Sequence, residues 1–111
     1  MVFIESRWFT RRLHELAGDT AEDVLAGIQR SLLENPLRGV LVRGLGGIRK
    51  ARMANPRRQK GKRGGFRYLY LFLEHRAHIH LLFLLDKDEQ EDLSSSEREI
   101  LRKLVATIRA T

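Results

Sequence analysis

The chain has 111 residues, enough for one domain and too few for two ordinary cores. Its 42% hydrophobic and 32% charged residues suit a globular protein with a solvated surface, and the absence of cysteine excludes a disulfide framework, a thiolate nucleophile and a thiolate metal site. A net charge of +7 directs attention to polyanionic partners, which release condensed counterions on binding.

The opening Met1-Val2-Phe3-Ile4-Glu5-Ser6-Arg7 meets an acid and a base before any signal-peptide core can form. The longest apolar run, Leu81 to Leu85, is far short of the ~20 residues needed to span a bilayer, so a cytoplasmic location is expected. Val2 to Glu5 reads as a short strand. Arg7 to Ala17 reads as a helix, with Phe9, Leu13 and Leu16 at helical spacing, Ser6 as its cap and Gly18 at its end. Asp19, with Glu22 three residues on, caps a second helix whose apolar face is Val24, Leu25, Ile28 and Leu32, and Asn35-Pro36 stops it. Arg38 to Gly47 reads as a glycine-rich connection and Ile48 to Met53 as a strand. Residues 55–65 form a basic, turn-rich loop. Phe66 to Leu73 and Ile79 to Leu85 are strands joined tightly through Glu74-His75-Arg76-Ala77, which completes an antiparallel three-stranded meander. An acidic run, Asp86 to Asp92, leads to a capping box from Ser94 to Glu97 and a last helix striped by Ile100, Leu101, Leu104, Val105 and Ile108. The expectation is a single α+β domain over residues 1–111, with helices packed on a sheet.

The charge is unevenly spread. Arg43 to Arg67 holds ten cations, Arg43, Arg49, Lys50, Arg52, Arg57, Arg58, Lys60, Lys62, Arg63 and Arg67, and no acid. Strand alternation places Lys50 and Arg52 on one face, with Ile48, and Arg49 on the other. It places Arg67 with Leu69, Leu71 and Leu73, and Tyr68 and Tyr70 opposite. A cation at the start of an apolar face lies either at the sheet margin or beneath a substrate, and periodicity does not choose. Clustered cations suit RNA cleavage, in which a 2′-hydroxyl attacks the adjacent phosphate and charge builds on the non-bridging oxygens. Crowded cations also lower one another's pKa, which allows a lysine to act as a base without a metal.

Other candidates are weaker. His78 and His80 share a strand face, but no carboxylate completes a metal site with them, and the acids from Asp86 to Asp92 lack calcium-loop spacing. Trp8, Tyr68 and Tyr70 are base-stacking candidates that fit a core equally well.

Three blocks, in order, carry a family resemblance: Gly46-Gly47-Ile48-Arg49-Lys50-Ala51-Arg52, then Gly61 to Tyr70, then Lys87 to Ser94. With the order of elements they resemble the RelE/ParE toxin superfamily, and its HigB branch most closely. The resemblance implies a RelE-like fold and the toxin of a type II toxin–antitoxin pair, a ribosome-dependent mRNA endoribonuclease. Its partners would be a cognate antitoxin, the 70S ribosome and mRNA, and it would need no cofactor. Position by position, it implies catalytic roles for Lys50, Arg52, Arg67 and Lys87. It also implies RNA contacts for Lys60, Lys62 and Arg63, while Arg49, Arg57 and Arg58 are RNA-binding candidates from the acid-free basic segment itself. The sequence departs from the family at Leu85, where an aromatic is usual, and at Asp88, where Asn is usual. Two alternatives stay open: a ParE-like inhibitor of DNA gyrase on the same fold, and a basic nucleic-acid binder without chemistry.

Overall fold

The computed structural model describes residues 1–56 and 65–111. Strand β1 is Val2–Glu5, helix α1 Arg7–Ala17, helix α2 Ala21–Glu34, strand β2 Val40–Leu41 and strand β3 Arg49–Met53. Strand β4 is Phe66–Leu73, strand β5 His78–Asp86 and helix α3 Ser95–Ala110. Single 3-10 turns at Gly18–Thr20 and Glu74–Arg76 join α1 to α2 and β4 to β5.

Helices α1 and α3 start at a side-chain cap, and α2 does not. The Ser6 hydroxyl accepts the Phe9 N–H at 2.9 Å and donates to the Leu82 carbonyl at 2.8 Å, so one side chain both caps α1 and fixes it to β5. The expected cap of α2 shifts by one residue. Thr20 holds that position, and its hydroxyl donates back to the Ala17 carbonyl at 2.7 Å instead of capping. Ser94 and Glu97 form the full reciprocal box at α3, with bonds of 3.1 and 2.8 Å.

The sheet is larger than the expected meander. It has five strands in the order β1-β5-β4-β3-β2, with β1 parallel to β5 and the other pairs antiparallel. The N-terminal strand completes one edge, because Val2 aligns with His78 and Glu5 with Leu81. The short β2, within the expected connection, forms the other edge. Gly39 makes this possible: a Cβ there would lie 2.9 Å from both the Lys50 carbonyl oxygen and the Tyr70 ring. Its N–H donates instead to the Tyr70 hydroxyl at 3.0 Å, and that hydroxyl donates to the Pro36 carbonyl at 2.8 Å.

The sheet carries a core on each face. Helices α1 and α2 cover one face, where Phe9, Leu13, Val24 and Ile28 meet Tyr68, Tyr70, Leu81 and Leu84. Helix α3 covers the other, where Leu101 and Val105 meet Leu69, Leu71, Phe83 and Leu85. A bulge between β4 and β5 decides which residues of β5 join which core. Tyr70 aligns with Leu81 but Leu69 with Phe83, so Leu82 is the extra residue. Downstream of it the alternation is reversed, and Leu85 comes to the α3 face, directly opposite Arg67.

Three arginines of α3 fasten it to the glycine-rich connection. Arg98 donates to the Arg43 carbonyl at 2.7 Å, Arg102 to Gly44 at 3.2 Å and Arg109 to Gly46 at 2.8 Å. Arg76 closes the far end by donating to the Thr111 carbonyl at 3.0 Å.

Candidate nucleic-acid interface

Four residues on three neighbouring strands build a cationic row at one end of the α3 face. Arg52 of β3 stands directly opposite Arg67 of β4, and Arg67 stands opposite Leu85 of β5. Lys50 lies two residues before Arg52, on the same face and opposite Leu69. Like charges directly opposed across strands destabilise a sheet by roughly 0.2–1 kcal/mol, so this pairing is unfavourable for folding alone.

Burial sharpens the conflict. Arg67 is only 9% exposed, and its Nη1 is buried without a hydrogen-bond partner among the described residues. Burial, then the neighbouring Arg52, pulls the Arg67 pKa below its ordinary value. Arginine nonetheless keeps its proton at any physiological pH. The protein therefore holds a fixed positive charge with an unused donor, flanked by an exposed Arg52 and a half-buried Lys50. An anionic oxygen at Arg67 supplies the missing acceptor and offsets the charge of the opposed Arg52. The Lys50 Nζ lies 4.0 Å from a carboxylate oxygen of the exposed Asp92, a long contact worth little on its own. Sequence reasoning missed this acid, because only the turn before α3 brings it beside β3.

Lys87 follows β5. Its N–H donates to the Gly65 carbonyl at 3.1 Å, which extends the β4–β5 ladder one step beyond the strand. It is half-buried, two residues past Leu85. Arg49 is brought elsewhere: its guanidinium donates to the Gly39 carbonyl at 2.7 Å and supports the β2 edge, away from the row. Arg57, Arg58, Lys60, Lys62 and Arg63 lie outside the described residues.

The remaining candidates separate clearly. Tyr68 and Tyr70 are fully buried toward α1 and α2, and burial pushes the Tyr68 hydroxyl up to about 12. They serve the core, not a base-stacking surface. His78 and His80 sit near the opposite end of the α3 face, roughly 13 Å along the strand from Arg67. Burial first, then His78 and Arg76, holds the His80 pKa below its ordinary value. No group of three or more potential metal ligands occurs among the described residues. Trp8 is half-buried and packs on Phe83, ring centroids 4.0 Å apart. Arg12 of α1 reaches the same strand, donating to the Leu84 carbonyl at 3.1 Å with its guanidinium 5.4 Å from the Phe83 ring. Nothing in the helical periodicity of α1 signalled that contact.

No family model matches the sequence. Solved structures do match the fold. An isolated E. coli RelE toxin superposes with a TM-score of 0.56 at 15% identity, covering 93% of this chain and 97% of that one. A double arginine-to-alanine mutant of E. coli RelE in the free state gives 0.56 at 14% identity, over 81% and 86% of the two chains. The intact E. coli RelBE toxin–antitoxin complex gives 0.54 at 15% identity, over 75% and 92%.

Proposed function

With a RelE-like fold as the starting point, we propose that this chain is the toxin of a toxin–antitoxin pair and acts as a metal-independent mRNA endoribonuclease on the ribosome. The carrying observation is the row itself: a buried Arg67 with an unpartnered donor, set against Arg52 and beside Lys50. In this reading the scissile phosphate sits over Arg67 and Arg52. Lys50 of the row, or Lys87 just past β5, acting as its neutral amine, accepts the proton of the 2′-hydroxyl as its oxygen attacks phosphorus. The bond from phosphorus to the 5′-oxygen breaks, and that oxygen takes up a proton as it leaves. The products are a cyclic phosphate and a 5′-hydroxyl end. Arg67 and Arg52 hold the charge that accumulates on the non-bridging oxygens. Arg57, Arg58, Lys60, Lys62 and Arg63 contact the RNA backbone around this point, and Arg49 supports the strand that carries Lys50 and Arg52.

The partner in this reading is an antitoxin, by analogy with the complex that shares the fold. Induced expression in bacteria, followed by primer extension across a translated message, tests the activity. Cuts within codons that disappear when translation is blocked, and that are lost in a folded Arg67→Ala variant, are the expected result. Growth arrest with intact message and broken DNA would move the assignment to gyrase inhibition.

A further inference from the structure

A second surface lies off the cationic row. A groove runs between the first turns of α1 and the outer face of α3. Its deeper part, about 540 Å³, is walled by Trp8, Arg7 and Arg11 on one side and Ile100 and Leu104 on the other. A shallower extension of about 190 Å³ continues along α3 past Lys103 and Thr107. Ile100 is 45% exposed and presents its side chain to this slot. Packing of the Trp8 ring on Phe83 makes that wall stiff.

The rim is cationic and uncompensated. Arg7 and Arg11 are one helical turn apart on α1, and Lys103 faces the slot from α3. None of the three makes an ion pair or side-chain hydrogen bond among the described residues. Nearby acids are engaged elsewhere: Glu15 with Arg12, Glu99 with Arg102, and Glu97 in its capping box.

We propose that this groove seats an acidic amphipathic helix of a protein partner. It rests on the toxin reading for the partner's identity, the antitoxin, and not for what the groove accepts. Apolar anchors at helical spacing fit between Trp8 and the Ile100–Leu104 wall, and acids along the flanks meet Arg7, Arg11 and Lys103. A nucleobase fits less well. One Trp8 face already lies on Phe83, and in the deeper part the α3 wall is Ile100 and Leu104, with no group to read a base edge. A helix here bridges α1 to α3, and none of the residues lining the groove belongs to the Arg52–Arg67 row.

Trp8 is the single tryptophan of the chain, so its fluorescence reports this groove directly. The probe is a synthetic capped peptide about 18 residues long, with leucines at three-and-four spacing and glutamates elsewhere. Saturable binding that shifts Trp8 emission to shorter wavelength is expected. It should weaken about tenfold or more with Arg7→Glu plus Arg11→Glu, with Ile100→Asp, with a scrambled peptide, and with lysines in place of the glutamates. Circular dichroism checks the fold of each variant, and Ile100→Ser replaces Ile100→Asp if the latter unfolds. Equal binding by the scrambled peptide, or no response to charge reversal, would overturn the proposal. So would an RNA hexanucleotide that quenches Trp8 more tightly and through the same arginines, or a dimer of the chain that Ile100→Asp dissolves. Message cleavage is not read here, so failure of the nuclease reading leaves this result standing, and the converse holds.

Discussion

Replacing Arg67 with methionine should make the protein more stable while removing the proposed message cleavage. Methionine keeps most of the side-chain volume and needs no hydrogen bond. In the native chain, Arg67 buries an unsatisfied Nη1 donor and faces Arg52 across the strands. A buried unsatisfied donor costs about 1–3 kcal/mol, and an opposed like charge roughly 0.2–1 kcal/mol. The guanidinium is 9% exposed, so water recovers part of this, and a net gain of about 1–3 kcal/mol is expected for Arg67→Met. In a domain of this size that raises Tm by roughly 4–12 °C. The assay is thermal unfolding in a chloride buffer of low ionic strength, repeated with added phosphate. Phosphate should raise the Tm of the native chain and leave the variant unmoved, because only the native row binds an anion. A variant that melts several degrees lower in chloride would refute the reasoning, since Arg67 would then be a net structural asset. Equal stabilisation of both proteins by phosphate would refute the anion site.

Further outcomes follow from single contacts. Ser94→Ala should cost about 1 kcal/mol by opening the capping box of α3, measured by urea unfolding. Gly39→Ala drives a Cβ against the Lys50 carbonyl and the Tyr70 ring, and should lower Tm by several degrees, with loss of the Tyr70 hydroxyl bonds visible in the tyrosine absorbance. Leu85→Tyr enters a site only 1% exposed and should destabilise by about 1–3 kcal/mol through overpacking. An unchanged Tm there would mean that the ring escapes toward the cationic row. His80 has a folded pKa below its ordinary 6.5, so the unfolded chain binds its proton first and stability falls as pH drops below about 6.5, down to the lowered folded value. The slope should flatten in His80→Gln, followed as Tm between pH 7.5 and 5.

Most of the fold was legible because its signals are local. Ser6, Asn35-Pro36 and the Ser94–Glu97 box mark helix boundaries within a few residues, and Phe66 to Leu73 is too apolar to be anything but a central strand. Two features were not legible, because they depend on distant pairing. The parallel seat of β1 on β5 joins Val2 to His78, and β2 exists only because Gly39 and Arg49 shape the connection around it. Alternation correctly placed Lys50 and Arg52 on one face and Arg49 on the other, but it could not set one strand against the next. That Arg52 faces Arg67, and that Leu85 reaches the same side, depends on register and on the Leu82 bulge. The family blocks pointed to the same residues by resemblance and were silent on their burial.

The parallel seat of β1 also governs when the molecule comes into being. A strand whose sheet neighbour among the described residues is β5 has no place to dock until His78 to Leu81 have been synthesised. Closing a contact across so many residues is slow compared with forming a hairpin, because the intervening chain must be ordered first. The β3–β4 hairpin holds Arg52 and Arg67 early, but Leu85 and the covering α3 arrive last. A chain released before β5 is complete therefore has neither a closed sheet nor a covered apolar face, and holds Arg52 against Arg67 with no Leu85 beside them.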